Sequence, residues 1–249
     1  MAVVSLRGGS GRTTTTVCLG DTLALARTDP VLSLDAVPYL GTLGGRTGVG
    51  VHCPVSVADM AVNARAYEGR GGNLPPAGRR ETGLYVLPSE TRITVRSTLT
   101  ADAYLQLATG VLASHYPLIV TDTPLLLDPV VGEAVVPTAD ALLLTTTATA
   151  ESASLAVDAL AWLAARGYAD LARRAVLVVN AVRPGDPGLG IDEIADWFGP
   201  RTRAVVPIPW DEHLAAGTSV TFSQLAPATR DAYLDLAAVT VSGLLPHRK

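Results

Sequence analysis

The chain holds one lysine, the final residue Lys249, against 18 arginines. Its basic chemistry is therefore almost wholly guanidinium. Cysteine is nearly absent: Cys18 and Cys53 alone exclude a disulfide scaffold. The four histidines, His52, His115, His213 and His247, are scattered, and no Cys/His spacing suggests zinc. No G-x-S-x-G elbow is present. No apolar run approaches the length that spans a membrane. Residues 1–6 are too short for a signal-peptide core and run into glycines, so a cytoplasmic chain with reduced cysteines is expected. Charged residues are 17% of the chain and the net charge is −4, so no global field draws it to DNA or an acidic membrane. What is abundant is apolar: 48% of 249 residues, enough for one large core and too much for a disordered chain.

Seven short runs rich in Val, Leu and Ile punctuate the sequence, at residues 3–6, 31–34, 84–87, 118–121, 141–144, 175–179 and 204–208. They mostly lack polar alternation, as expected when both faces of a parallel sheet are covered. Helix-length stretches lie between several of them, at 13–27, 101–115, 151–166 and 228–245. This rhythm predicts a single α/β domain over residues 1–249, with a doubly wound, mostly parallel sheet flanked by helices. Residues 41–83 break the rhythm. They are rich in Gly, Pro and Arg and are expected to form a long mobile loop region with at most a short helix near 57–66.

The strongest local signal is Arg7-Gly8-Gly9-Ser10-Gly11-Arg12-Thr13-Thr14. An apolar strand leads into small residues and then into a helix. Glycines let backbone N–H groups curl inward around phosphate, and the helix N-terminus adds positive potential. A threonine after the basic residue suits a Mg²⁺ ligand, the task expected of Thr13. Asp122 ends an apolar strand, where a carboxylate reaches Mg²⁺ directly or through water. A second reading stays open: Gly9-Ser10-Gly11 followed by Asp35 is similar to part of an NAD(P) dinucleotide fingerprint, with Thr14 where the third glycine belongs.

The same residues resemble the deviant Walker A loop of the ParA/MinD family of P-loop ATPases, whose pattern is K-G-G-x-G-K-T-[ST]. The likeness continues through Leu32-Ser33-Leu34-Asp35, through Tyr116-Pro117-Leu118-Ile119-Val120-Thr121-Asp122-Thr123-Pro124, similar to the Walker B strand and switch II, and through Val178-Val179-Asn180. It ends with Val206-Pro207-Ile208-Pro209-Trp210-Asp211. The resemblance implies ATP or ADP with Mg²⁺ on Arg7, Gly8, Gly9, Ser10, Gly11, Arg12, Thr13 and Thr14. It implies base contacts from Asn180, Pro207 and Pro209, Mg²⁺ at Thr13 and Asp122, and catalytic roles for Arg12, Asp35 and Asp122. It also implies a homodimer that sandwiches two nucleotides and a protein partner whose position or assembly it governs.

Three departures fall on the chemistry. The family's cross-dimer lysine is Arg7, its phosphate lysine is Arg12, and the second acid of its D-x-D is Val37. A guanidinium keeps the charge but is longer and planar, so it places that charge differently from an ammonium. Phosphoryl transfer is catalysed by orientation and electrostatics, so the expectation is retained nucleotide binding with weakened or lost hydrolysis. A scaffold that binds a protein through the dimer face is the alternative. The arginine pairs 79/80, 173/174 and 201/203 read as solvated faces rather than as a nucleic-acid surface. The C-terminal helix has few basic residues and reads as core packing, not as a membrane anchor.

Overall fold

In an apolar run that forms a central strand, side chains alternate between two helical layers. Ala2 and Val4 enter one core and Val3 the other; Leu142 and Leu144 split from Leu143, and Leu177 and Val179 from Val176 and Val178, in the same way. All of these side chains are buried, which accounts for the missing polar alternation. The computed structural model describes residues 1–38, 40–50, 53–67, 77–89, 99–183 and 188–244. Their strands are β1 (Ala2–Val4), β2 (Val31–Asp35), β3 (Gly78–Arg79), β4 (Tyr85–Leu87), β5 (Leu118–Asp122), β6 (Leu142–Thr147), β7 (Val176–Val182) and β8 (Ala204–Pro209). They form one sheet in the order β3-β4-β2-β5-β1-β6-β7-β8, parallel throughout except for the short β3.

Helices cover both faces. Arg12–Ala26 and Pro227–Ser242 pack together on one side. Ala150–Ala165 and Ile191–Phe198 bury Leu160, Leu163, Ile194 and Phe198 on the other. The last helix buries Tyr233, Leu236 and Ala237 in the core, and residues 245–249 lie outside the described residues. No described helix is long and apolar enough to cross a membrane.

Three stretches differ from the sequence expectation. The first strand ends at Val4, because Ser5 turns back and donates its hydroxyl to Arg7 O at 2.7 Å. The segment 41–83 is not all loop. It holds helices Leu43–Thr47, Val57–Val62 and Ala64–Tyr67 and the strand β3, while residues 51–52 and 68–76 lie outside the described set. Leu43–Thr47 contains two glycines, so helix propensity argues against it. Tertiary contact overrides that: Leu43 is fully buried and Arg46 donates to Leu214 O and to Thr218 O. The stretch 101–115 is helical, but its middle, Gln106–Leu112, is wound as π-helix.

Candidate nucleotide site

The site lies at the carboxyl ends of the central strands, where open parallel sheets place ligands. The loop between β1 and helix Arg12–Ala26 leaves the sheet at Ser5. Gly9 (φ +76°) and Gly11 (φ +89°) take the left-handed conformation, which glycine adopts without steric penalty. Nothing lies within 4 Å of where a Cβ on Gly8 or Gly9 would stand. Gly11 is different: a Cβ there would meet Asn180 Nδ2 at 2.6 Å. Gly11 thus makes room for Asn180 as well as for a ligand.

Ser10 is buried beneath the loop and bonds Ser5 Oγ and Thr145 Oγ1, each at 2.9 Å. Asn180, at the end of β7, donates Nδ2 to Ser10 O at 2.8 Å and to Thr15 Oγ1 at 3.2 Å. Both amide hydrogens are spent on the loop and its helix, leaving the Asn180 carbonyl oxygen as an acceptor. Thr14 Oγ1 accepts from Arg46 Nη2 at 3.1 Å.

Arg12 folds over its own loop, donating Nη1 to Ser5 Oγ at 2.5 Å and to Arg7 O at 3.1 Å. Burial lowers its pKa and Asp122 opposes that shift. Arg7 turns away and pairs with Glu151 Oε2 at 2.6 Å on the first turn of helix Ala150–Ala165.

Asp35 and Asp122 are register partners on β2 and β5, and both are buried. Thr13 Oγ1 donates to Asp122 Oδ2 at 2.7 Å and lies 2.9 Å from Thr42 Oγ1. Val37 N donates to Asp35 Oδ1 at 3.1 Å. Burial pushes the pKa of both carboxyls up; at Asp122 the neighbouring Asp35 adds to the rise. Asp35 Oδ2, Asp122 Oδ1 and Arg12 Nε are enclosed without a hydrogen-bond partner among the described residues. Two orphaned acceptor oxygens beside a glycine cradle and an orphaned guanidinium N–H fit a magnesium polyphosphate, since buried polar groups require partners.

A cleft of about 230 Å³ continues from Gly9, Gly11 and Thr14 to Asn180, Pro209 and Trp210. Pro207 does not line it; it is exposed on β8 opposite Val179. Trp210 was not singled out from the sequence, although it stands between Pro209 and Asp211 in the quoted segment. Thr42 and Arg46 were missed as well, because they fall in the glycine-rich stretch read as loop.

Elsewhere the candidates are absorbed by structure. Arg80 is buried against Asp21, Arg173 pairs with Asp170, and Arg174, Arg201 and Arg203 each donate within the chain. His115 and His213 bond backbone groups, and His52 and His247 lie outside the described residues. Cys18 and Cys53 are free thiols; burial pushes Cys18 up to about 12.

No known protein-family profile matches the chain. Among curated proteins it is 32% identical over 241 residues to the ESX-1 secretion-associated protein EspI of Mycobacterium tuberculosis, in two strains. That match covers 96% of this chain, which spans only about a third (35%) of the relative's length. Among solved structures, a chain of the MinC:MinD cell division protein complex of Aquifex aeolicus superposes with TM-score 0.75 at 21% identity, covering 100% of this chain and 98% of that one. A ParA family ATPase from Chlorobium tepidum gives 0.73 at 22%, covering 95% and 98%. The septum site-determining protein MinD of Pyrococcus horikoshii, complexed with Mg-ADP, gives 0.70 at 19%, covering 95% and 93%. With its sheet order, its glycine loop after β1 and these superpositions, the chain has the fold of the MinD/ParA P-loop ATPases and resembles that family along nearly its whole length.

Proposed function

We propose that the chain is an ATP-responsive, dimerising positioning or assembly module whose hydrolysis is weakened or lost. The observation that carries the reading is the Thr13–Asp122 hydrogen bond of 2.7 Å beneath the glycine loop, with an unpartnered oxygen left on Asp122 and another on its neighbour Asp35. In this reading Thr13 and Asp122 would hold a divalent ion. When bound it supplies charge neutralisation at the phosphates. Gly8 to Thr14 present backbone N–H groups, Arg12 supplies a fixed cation, and Asn180 ties the loop to β7.

Weak hydrolysis follows from what replaces the acid. Val37 neither orients water nor accepts a proton, and Arg12 is already bonded to its own loop at Ser5 and Arg7. The relative's name points to a secretion apparatus as the assembly served. A homodimer and a protein partner are part of the reading; a nucleic-acid or membrane partner is not.

Calorimetry with Mg-ATP, Mg-ADP and NAD(P), with light scattering in parallel, tests it. Binding of ATP and ADP with ATP-dependent dimerisation is expected. Absence of nucleotide binding at millimolar ligand leaves a pseudo-ATPase scaffold, and binding of NAD(P) alone leaves the NAD(P)-binding reading. A mass that ATP does not change removes the switch.

A further inference from the structure

Arg7, Arg27, Arg80 and Arg173 are each paired with a carboxylate. Arg46, which is half-buried, is paired with none among the described residues. It sits on the helix Leu43–Thr47 and is held at both ends by the stretch that follows β8. Its carbonyl accepts from Val220 N at 2.7 Å. Its guanidinium donates to Thr218 O and, at 3.3 Å, to Leu214 O. These acceptors are neutral, so a positive charge is fixed in place with no anion beside it, whereas charge taken from water is ordinarily balanced.

The remaining bond of this guanidinium goes to the candidate site. Arg46 Nη2 reaches Thr14 Oγ1 at 3.1 Å. A guanidinium has donors and no acceptor, so the threonine oxygen accepts and its own hydrogen is left to give. A helical threonine often spends that hydrogen on the carbonyl one turn back. Here that carbonyl, Ser10 O, takes Asn180 Nδ2 at 2.8 Å, and the Thr14 hydroxyl donates to no group among the described residues.

Thr14 lies in the first turn of a 15-residue helix and lines the cleft together with Gly9 and Gly11; Arg46 does not line it. The uncommitted hydrogen therefore belongs to a residue of the cleft wall, and the cation stands behind that residue. Hydrogen bonds in series strengthen one another, so a hydroxyl that accepts from a cation donates more strongly to an anion.

We propose that Arg46 is a positioning residue for the nucleotide, acting through Thr14: it holds the hydroxyl oxygen and leaves the hydroxyl hydrogen to the phosphate that carries the nucleoside. This rests on the nucleotide reading above. Thr14 stands where the glycine loop passes into the cleft, which selects that phosphate over the terminal one.

The test replaces one oxygen of that α-phosphate by sulfur, a weak hydrogen-bond acceptor. Calorimetry with the two α-thio diastereomers of Mg-ATP then reads whether one oxygen is held. The native chain is expected to bind one diastereomer about 5-fold or more weakly than the other. T14V is expected to bring the two within about 2-fold and to weaken Mg-ATP about 5- to 10-fold. R46M is expected to weaken Mg-ATP about 5-fold and to shrink the diastereomer preference, with R46K recovering part of both. T14V/R46M is expected to lie within about 2-fold of T14V, because the arginine acts through that hydroxyl. If the methionine variant fails to fold, T14V and R46K carry the test. A native preference in R46M, or one that persists in T14V, overturns the inference. Losses that multiply in the double variant overturn it in favour of a structural role. ATP binding to the native chain without a diastereomer preference overturns it and leaves the nucleotide reading intact. Absence of ATP binding to the native chain overturns both.

Discussion

Asp35 and Asp122 stand opposite each other on adjacent parallel strands, both buried, each with one carboxylate oxygen unbonded. Arg12 is the cation felt by Asp122, and its guanidinium is committed to Ser5 and Arg7 rather than to either acid. Burial lifts both carboxyls above their ordinary range, and at Asp122 the neighbouring Asp35 adds to the rise.

That arrangement sets a pH dependence. Both native pKa values are raised, so the folded chain binds more protons than the unfolded one above about pH 4, where free carboxyls ionise. Stability therefore falls as pH rises from there through the raised native values. Each kcal/mol lost moves Tm by about 2–4 °C in a chain of this size. Thermal melts without ligand are expected to show this decline, and Asp122→Asn to flatten it. Mg-ATP should oppose the decline; a melt that is level with pH without ligand contradicts the buried pair.

The two phosphate-site departures make a second prediction. Arg12→Lys with Val37→Asp restores the family's charge geometry and its missing acid. If those positions alone limit turnover, the double variant hydrolyses ATP about 10-fold faster or more, since a misplacement of about 1 Å costs roughly 100-fold. Phosphate release in single-turnover assays measures it. No gain, with ATP still bound, means that further parts of the pocket have changed.

Gly11 belongs to the loop whose backbone a phosphate would approach. The structure adds a second constraint, the Asn180 amide at 2.6 Å from a would-be Cβ. Gly11→Ala meets both that contact and the positive φ, and is expected to destabilise by about 1–3 kcal/mol. Adding Asn180→Ala removes the clash but not the backbone strain, and it also removes the bonds to Ser10 O and Thr15 Oγ1, so the double variant should recover only part of the lost Tm. Full recovery would mean that the φ of Gly11 carries no strain.

The strands, the glycine loop and Asp122 were legible because their signals are local: runs buried on both faces, and a loop set between a strand and a helix. What escaped is paired across distance. Arg80 meets Asp21 over 59 residues and Arg7 meets Glu151 over 144, and neither pairing leaves a trace in the neighbouring sequence. The slip of β7 against β8 turns on Ala181, an ordinary residue in an unusual conformation. The helix Leu43–Thr47 was hidden by its glycines and is held by contacts of Leu43 and Arg46 rather than by propensity.

Arg7 is held within its own chain by Glu151, whereas the family resemblance sends this side chain across a dimer. The pair is exposed, so it adds little to stability. Glu151→Gln should change Tm by less than about 1 kcal/mol in equivalent stability. It should also free Arg7 and lower the protein concentration at which ATP produces dimers. Sedimentation across a concentration series reads this directly. A dimerisation curve identical to that of the native chain would assign the pair no part in assembly.

The Asp21–Arg80 pair is the opposite case. Its side chains are 0% and 8% exposed. Arg80 Nε and Nη2 reach the two carboxylate oxygens at 2.8 and 2.9 Å, and Thr82 donates a third bond. Arg80 also donates to Thr47 O and Val220 O, so one guanidinium joins the first helix, the helix Leu43–Thr47 and the segment before the last helix. Asp21→Asn leaves that cation buried without a counter-charge and turns an amide donor toward a donor. Breaking a buried pair from one side costs about 3–5 kcal/mol. Denaturant unfolding should show that loss, with the midpoint lowered and the slope unchanged. Replacing both partners, Asp21→Leu with Arg80→Met, should cost much less than the single change, because no charge is then stranded. If the single and double variants were equally unstable, packing rather than charge pairing would be what this contact provides.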